Sequence, residues 1–290
     1  MPLRFLVTGA NRGLGRAGAE ALARAGHHLL LAARDPDTLG PVCQELDRLA
    51  PGCVEKCVAL DLRSFESVRA CAAALGDLTI DGLLNNAGVM QQSPTRRITP
   101  DGCEETLQVN TLSPFLLTRL LLPALRRAQR GRIVNVSSRL HMPGSRGAPV
   151  QFDFDDPQLV RSYHPERAYK NSKLALLWWT YELARRLAGT SVHCIGLCPG
   201  FVPRTAAESV SGWQRFFLRH VLVHAPFANS VADVAQAYVE ALTDPALAEE
   251  NGIFLADHKP LRSSDESYDT DKALRFYKLA SSLTGLPESD

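Results

Sequence analysis

Residues 7–15 read "VTGANRGLG" and join a short apolar run to an amphipathic stretch. The run "LRFLV" predicts a buried strand, and Gly13 to Ala25 predicts a helix with Ala, Leu and Gly on one side. The three glycines permit a tight turn that brings the backbone close to a pyrophosphate, and the start of the helix offers free N–H groups. This strand–turn–helix setting indicates a dinucleotide site, although glycines that serve packing alone show the same pattern. The candidate residues are Thr8, Gly9, Asn11, Arg12, Gly13, Leu14 and Gly15.

Apolar runs and helical patterns continue to alternate along the chain. Further strands are predicted at "HLLLAA", "EKCVAL", "IDGLLNN", "GRIVNVSS", "SVHCIGLCPG" and "GIFLA". Helices are predicted from near Pro36, from Ser64 to about Leu75, from about Asp101 to Ala128, and over 167–187. Strands that are apolar throughout are buried on both faces of a sheet. The pattern predicts one α/β domain over 1–290, a doubly wound Rossmann fold with about seven parallel strands and helices on both faces.

Two long segments interrupt this alternation, at residues 139–166 and 199–228. Both leave the carboxyl ends of predicted strands, where open α/β sheets bind their ligands. We therefore expect them to shape a substrate pocket. The aromatic stretch within 213–227 is interpreted first as a lid over that pocket, with a partner surface or a peripheral membrane contact as alternatives.

Composition excludes several classes of protein. The chain has 290 residues, is 45% hydrophobic and carries a formal net charge of +1, so no nucleic-acid partner is expected. It has seven cysteines and no apolar leader, which favours free thiols and a cytoplasmic location. No stretch is apolar enough to span a membrane. Cys194 and Cys198 share a predicted strand and are interpreted as buried core thiols, so no metal is expected.

The end of the second strand bears on the choice of cofactor. An acidic residue there would accept the adenosine ribose hydroxyls and favour NAD, but this strand ends with Ala33 followed by Arg34. Arg34 and Arg12 are suited to a 2′-phosphate, which arginine binds with two hydrogen bonds. Asp35 is either a ribose acceptor or a helix cap. The two arginines favour NADP(H).

Together these motifs resemble the short-chain dehydrogenases/reductases, and in particular the retinol dehydrogenase-like members. The resemblance rests on the glycine loop, Asp61, Asn85-Asn86-Ala87-Gly88, Asn110, Ser138, Tyr169-x-x-x-Lys173 and Pro199-Gly200, in that order. It also rests on "GRIVNVSSRLH", "AYKNSKLALLWWTYELARRL" and "ALRFYKLASSLTGL".

The resemblance implies positions for the cofactor. It places Asp61 at the adenine, Asn86 near the two riboses, and Pro199 with the segment after it on the nicotinamide. Further cofactor-binding candidates are Leu62, Ala87, Gly88, Gly200, Val202, Thr205, Tyr169 and Lys173.

The chemistry of Tyr169 and Lys173 follows from their spacing, because residues four apart lie on one face of a helix. Reduction of a carbonyl needs a proton for the developing alkoxide, and a tyrosine with a pKa of about 10 is a poor donor at neutral pH. A neighbouring ammonium is expected to lower that pKa by about three units. Ser138 would hydrogen-bond the substrate oxygen, and Asn110 would hold a water that links Lys173 to solvent.

These residues predict an NADP(H)-dependent oxidoreductase acting on an apolar aldehyde, ketone or alcohol, as a monomer or a homodimer. Two alternatives remain: reduction of a carbon–carbon double bond, as in protochlorophyllide reductases, and a cofactor-binding regulator without turnover. His141 and the acidic run of Asp153, Asp155 and Asp156 would suggest a metal or a second acid/base, but their loop setting favours solvated charges.

Overall fold

In the described part of the chain, eight strands form one sheet, and the strand that leads to Ser138 lies inside it. The computed structural model describes residues 1–143, 149–203, 225 and 228–289. The strand order is β3-β2-β1-β4-β5-β6-β7-β8, and every neighbouring pair is parallel except β7 and β8. The strands are β1 Arg4–Thr8, β2 His28–Ala33, β3 Val54–Ala59, β4 Gly82–Asn85, β5 Gly131–Val136, β6 Val192–Cys198, β7 Phe254–Ala256 and β8 Lys259–Pro260.

Helices cover both faces of this sheet, as the alternation predicts. They are α1 Gly13–Arg24, α2 Gly40–Leu49, α3 Phe65–Leu75, α4 Glu105–Leu107, α5 Ser113–Arg126, α6 Pro165–Arg186, α7 Val231–Thr243 and α8 Thr270–Thr284. Alternate strand residues divide between two cores. Leu6 and Leu30 pack with α3, α5, α6 and α8, whereas Phe5 and Val7 pack with α1, α2 and α7. The doubly wound α/β fold is thus confirmed.

Within the described residues the sheet has eight strands, one more than the seven or so expected. The added strand, β8, is only two exposed residues long, so it has no apolar run by which a sequence pattern would reveal it. It pairs antiparallel with β7 after a turn in which Asp257 and His258 adopt positive φ angles of 51° and 63°.

Helix starts differ from the predicted ones because capping groups fix them. The helix expected near Pro36 begins as a 3₁₀ turn, Pro36–Leu39, and α2 follows from Gly40. The helix expected from Asp101 starts at Glu105, because the Glu104 carboxylate accepts hydrogen bonds from the backbone N–H groups of Thr106 and Leu107.

Between α4 and α5 the backbone is a π-helix over Gln108–Leu112. Such wide turns interrupt the regular helical bonding and often accompany functional sites. Asn110 lies at the middle of this turn. No helix in the described ranges is both long enough and apolar enough to cross a membrane.

Candidate active site

The glycine loop closes tightly between β1 and α1. Gly9 and Gly13 have φ angles of +67° and +57°, which side chains rarely adopt. A Cβ on Gly15 would lie 2.4 Å from the Gly9 carbonyl oxygen, whereas a Cβ on Gly13 would meet nothing within 4 Å. No side chain caps α1 and no acidic residue lies in its first turn. The loop therefore has the open face and the uncapped helix start that a pyrophosphate needs.

Thr8 and Asn86 join this loop to the end of β4. The Thr8 hydroxyl accepts hydrogen bonds from the backbone N–H groups of Asn86 and Ala87, each at 3.0 Å. Asn86 Nδ2 donates to the Thr8 carbonyl at 2.9 Å, and its Oδ1 accepts from the Tyr238 hydroxyl at 3.1 Å. Tyr238 was missed by sequence reasoning, since an amphipathic helix gives no signal that one of its core tyrosines holds a site residue.

The side chains expected at the adenosine end lie together, but some have partners. Arg34 is exposed, and its charge helps to lower the pKa of Asp61. The main cause of that lowering is Arg63, whose guanidinium donates to both Asp61 oxygens, at 3.1 and 2.8 Å. Asp61 thus remains ionised and paired.

Asp35 acts as a cap in this structure. Its Oδ1 accepts from the Asp37 backbone N–H at 3.1 Å, as expected for the helix-cap alternative. Asn11 Nδ2 donates to the Thr38 hydroxyl at 3.3 Å, so the glycine loop is tied to the segment after β2.

The remaining cofactor candidates divide between the rim and the cores. Leu62 and Val202 are buried, and Leu14 packs against the α1–α2–α7 core. Gly200 has a φ of +71°, and a Cβ there would lie 2.3 Å from Nδ2 of Asn229. That amide donates to the Pro199 carbonyl at 3.0 Å, a contact that sequence reasoning missed because it joins residues 30 positions apart. Thr205 lies outside the described residues.

Tyr169 and Lys173 lie side by side on α6, with the Lys173 Nζ 5.7 Å from the centre of the Tyr169 ring. The Lys173 side chain is buried, and its Nζ donates to the Val136 carbonyl, at the end of β5, at 2.8 Å. Burial lowers the pKa of Lys173 to about 8.

The pKa of Tyr169 differs from the expected direction. Burial raises it, and the hydrogen bond with Ser138 opposes that rise. Removal of the phenol from water favours its neutral form, and the spacing of Tyr169 and Lys173 does not reveal that burial. Tyr169 is therefore protonated at neutral pH.

Ser138 and Ser137 are distinguished by their contacts. Ser137 is buried and its hydroxyl donates to the Lys173 carbonyl at 3.3 Å, so it holds β5 against α6. Ser138 is half-buried at the rim and lies within hydrogen-bonding reach of Tyr169. The structure thus brings Ser138, Tyr169 and Lys173 together at the end of β5.

The Asn110 side chain holds the loop after β4. Its Oδ1 accepts from the Val89 N–H at 2.8 Å, and its Nδ2 donates to the Val89 carbonyl and to the Ser172 hydroxyl. Both amide hydrogens are therefore used in these contacts, and the water expected at Asn110 stays a prediction. Gly88 lies beside it: a Cβ there would be 3.1 Å from Asn110 Oδ1 and 3.7 Å from Lys173 Nζ.

The prediction that His141 and the acidic run are solvated charges is wrong for His141 and Asp156. The His141 ring is completely buried, in edge contact with Phe254 at 5.1 Å. Asp156 is also buried, and its carboxylate accepts from the backbone N–H groups of Val160 and Arg161. Backbone partners allow both polar side chains to be buried, and sequence spacing does not show them. Within the described residues no cluster of His, Cys, Asp and Glu is arranged to hold a metal.

Comparison with known proteins agrees with this geometry. Residues 4–150 match the short chain dehydrogenase family. The chain is 34% identical to human retinol dehydrogenase 14 over 97% of its length and 86% of that protein, and 33% identical to human retinol dehydrogenase 13 over 97% and 84%. Among solved structures, the Pseudomonas aeruginosa RhlG/NADP active-site complex superimposes with a TM-score of 0.69 at 25% identity, covering 87% of this chain and 93% of that one. The chain belongs to the short-chain dehydrogenase family, as an oxidoreductase of the retinol dehydrogenase-like kind.

Proposed function

We propose that the protein is an NADP(H)-dependent oxidoreductase that interconverts an apolar carbonyl compound and its alcohol, with Tyr169 as the general acid/base. The observation that carries the proposal is the grouping of Ser138, Tyr169 and the buried Lys173 at the carboxyl end of β5. Ligands of open α/β sheets bind at this edge.

The residues present fit a nicotinamide dinucleotide. The uncapped start of α1 and the open side of Gly13 leave room for a pyrophosphate, and the Thr8–Asn86 hydrogen bonds fix the neighbouring loop. We assign the adenosine end to Arg34, Arg12 and Asp61, and the nicotinamide end to Lys173 and Pro199. When bound, the cofactor supplies or accepts the hydride.

Preference for the 2′-phosphate is supported by the charges after β2. Arg34 is exposed and forms no hydrogen bond or salt bridge with any described residue, so its guanidinium faces solvent at this end. Asp35, the residue that would otherwise repel a phosphate, turns its carboxylate to the Asp37 N–H. Arginine binds phosphate with two parallel hydrogen bonds, so the local chemistry favours NADP(H) over NAD(H).

In the reductive direction, Ser138, Tyr169 and Lys173 each have a separate role. Ser138 donates a hydrogen bond to the carbonyl oxygen, where negative charge develops. Tyr169, protonated because burial raises its pKa, gives its proton to that oxygen. Lys173 holds a positive charge close to the resulting tyrosinate, which Coulombic attraction stabilises in the partly desolvated site.

The class of substrate is proposed from the relatives. Two of them are named as retinol dehydrogenases and cover most of the chain. Retinol is a long apolar alcohol, and the aromatic character of the segment after Gly200 suits a substrate of that kind.

Cofactor preference is tested by fluorescence titration with NADPH and NADH. We expect wild type to bind NADPH more tightly, and Arg34→Ala to lose most of that difference, since a charge-assisted phosphate contact contributes about 1.5–3 kcal/mol, roughly 10- to 100-fold in affinity. Arg48→Ala, which removes an exposed arginine at the other end of α2, should retain the preference. Equal affinities in wild type would overturn the NADP(H) assignment.

Catalysis is tested by Tyr169→Phe with a panel of apolar aldehydes and ketones. Loss of the general acid should lower kcat by about 10²- to 10⁴-fold while NADPH affinity changes little. Lys173→Met should also lose activity, whereas Lys170→Met, which removes only a partner of Glu166 on the same helix, should not. A Tyr169→Phe variant with full activity would show that Tyr169 is not the general acid and would contradict the proposed mechanism.

A further inference from the structure

The His141 ring connects two separate parts of the chain through their backbones. It is completely buried, and each ring nitrogen has a backbone partner. Nε2 lies 3.3 Å from the Ser264 N–H, which can only donate, so Nε2 is the acceptor. The proton of the neutral ring is therefore on Nδ1, which donates to the Ser138 carbonyl. Burial lowers the pKa of His141, so this neutral form persists at pH 7.

Ser138 lies at the near end of this connection. It precedes the 3₁₀ turn Arg139–His141, and its hydroxyl oxygen accepts from the Leu140 N–H at 3.3 Å. The turn is short, and much of its outer side is exposed. The bond from the His141 ring fixes the serine's peptide to the protein interior, beside Phe254 of β7.

The far end of the connection is the C-terminal serine segment, which we define as residues 263–268. Two side chains of α6 hold this segment. The Tyr181 hydroxyl lies 2.7 Å from the Ser263 hydroxyl, and Trp178 Nε1 donates to the Glu266 carbonyl at 2.6 Å. The Tyr181 ring also stacks on Tyr268, with ring centres 5.1 Å apart.

Because α6 carries Tyr169 and Lys173, one segment supports both halves of the catalytic group. It holds α6 through Trp178 and Tyr181, and it holds the turn of Ser138 through His141. The distance between a serine on one element and a tyrosine on another is set by whatever joins those elements. Ser137 and Lys173 join β5 to α6 directly, and His141 joins the turn after β5 to the same helix through the C-terminal serine segment.

We infer that His141 is a positioning residue, whose buried ring ties the Ser138 turn to the C-terminal serine segment and so holds the Ser138 hydroxyl against Tyr169. The inference rests on the proposed function, because it assigns Ser138 a part in the reaction. His141 itself touches neither substrate nor cofactor in this assignment; it acts through Ser138.

The test is a double-mutant cycle with His141→Ala and Ser138→Ala, measured as kcat and KM for carbonyl reduction with saturating NADPH. We expect His141→Ala to lower kcat by about 10- to 100-fold with little change in KM or in NADPH affinity, because a displaced catalytic group costs mainly transition-state stabilisation. In the Ser138→Ala background the same change should cost almost nothing further. The control is His193→Ala. The His193 ring bonds the Ala248 carbonyl at the amino end of β6, away from the carboxyl edge, so its removal should leave kcat unchanged.

A second variant keeps the inference testable if His141→Ala does not fold. Asparagine places an amide donor near the position of Nδ1, so His141→Asn should fold and retain more of kcat than His141→Gln, whose donor lies near Nε2. Equal losses from His141→Ala with and without Ser138, or the same kcat for Asn and Gln, would overturn the positioning role. Failure of the proposed function itself is separate, since it would appear as an active Tyr169→Phe enzyme.

Discussion

At the scale of single residues, the buried ammonium of Lys173 determines how activity depends on pH. Burial lowers its pKa to about 8, whereas burial raises the pKa of Tyr169 above its ordinary value of 10. We expect kcat for reduction to fall as pH rises through about 8, because the neutral amine no longer stabilises the tyrosinate. A pH–rate profile from 6 to 10.5 measures this. A profile that stays flat until pH 10 would contradict the assignment to Lys173.

The lowered pKa of Lys173 should also affect how the free energy of unfolding depends on pH. The unfolded chain keeps the lysine proton up to its ordinary pKa of 10.5, whereas the folded chain releases it near 8. For this group the unfolded state binds more protons between these values, so Lys173 contributes a rise in the free energy of unfolding with pH. Six cysteines whose pKa burial raises contribute a fall over the same range: Cys53, Cys57, Cys71, Cys103, Cys194 and Cys198. Urea unfolding at several pH values should therefore show the Lys173 contribution as a difference between wild type and Lys173→Met that grows with pH.

The sequence predicts the residues to which we assign the reaction, but not those that hold them in place. Tyr169, Lys173 and Ser138 stand out because their types and spacing match a reaction. The residues that hold them show no such pattern. His141 bonds Ser264, 123 positions away, and the partners of Asn229 and Tyr238 lie 30 and 152 positions away, so only folding brings these residues together. Exposure was misjudged at His141 for the same reason, since a loop histidine is buried only when backbone groups satisfy both nitrogens.

At the scale of elements, the contact of α1 with α7 depends on the absence of a side chain at Gly18. A Cβ there would lie 2.7 Å from Cδ2 of Tyr238, a completely buried ring. Gly18→Ala should therefore lower the free energy of unfolding by about 1–3 kcal/mol, as added volume in a packed core does. Because Tyr238 also bonds Asn86, weaker NADPH binding should accompany the change.

Gly40→Ala is the matched control for that prediction. Gly40 is exposed at the start of α2 with helical angles, and a Cβ there meets nothing within 4 Å. Alanine should change the free energy of unfolding by less than about 1 kcal/mol, since its restriction of the unfolded chain is opposed by crowding of the added Cβ against the ring of Pro41. Thermal or urea unfolding compares the two variants, and a Gly18→Ala protein as stable as wild type would show that Tyr238 moves aside freely.

Elements with strong periodicity were predicted well, and short or interrupted ones were not. Burial determines which residues are apolar in these elements. The strands β1, β2 and β5 are buried on both faces and are apolar throughout, and α1 is buried along one side and is amphipathic. The π-helix over Gln108–Leu112 has no pattern of its own, since its residues look like those of any buried helix. Asn110 at its centre bonds Val89 and Ser172, and no local pattern contains these contacts.

At the scale of the whole molecule, the chain end joins three helices on one face of the sheet. Arg69 of α3 donates to the Thr284 carbonyl at 2.5 Å, and Arg186 of α6 donates to the Glu288 carbonyl at 2.7 Å. Arg119 of α5 donates to the Pro287 carbonyl at 3.1 Å. The side of the fold that holds Tyr169 is thus closed by residues more than 100 positions away.

The central contact of this arrangement is Tyr277 of α8. Its buried ring packs edge-on against Phe115 at 5.0 Å, with the Arg186 guanidinium 4.1 Å and the Arg119 guanidinium 5.3 Å from its centre. Tyr277→Ala leaves a cavity and removes both cation–π contacts, so the free energy of unfolding should fall by about 3–5 kcal/mol. Leu274→Ala, at an exposed position of the same helix, should change it by less than about 0.5 kcal/mol. Urea unfolding measures both variants. If Tyr277→Ala were as stable as Leu274→Ala, packing of α8 through Tyr277 would contribute little to the stability of the core.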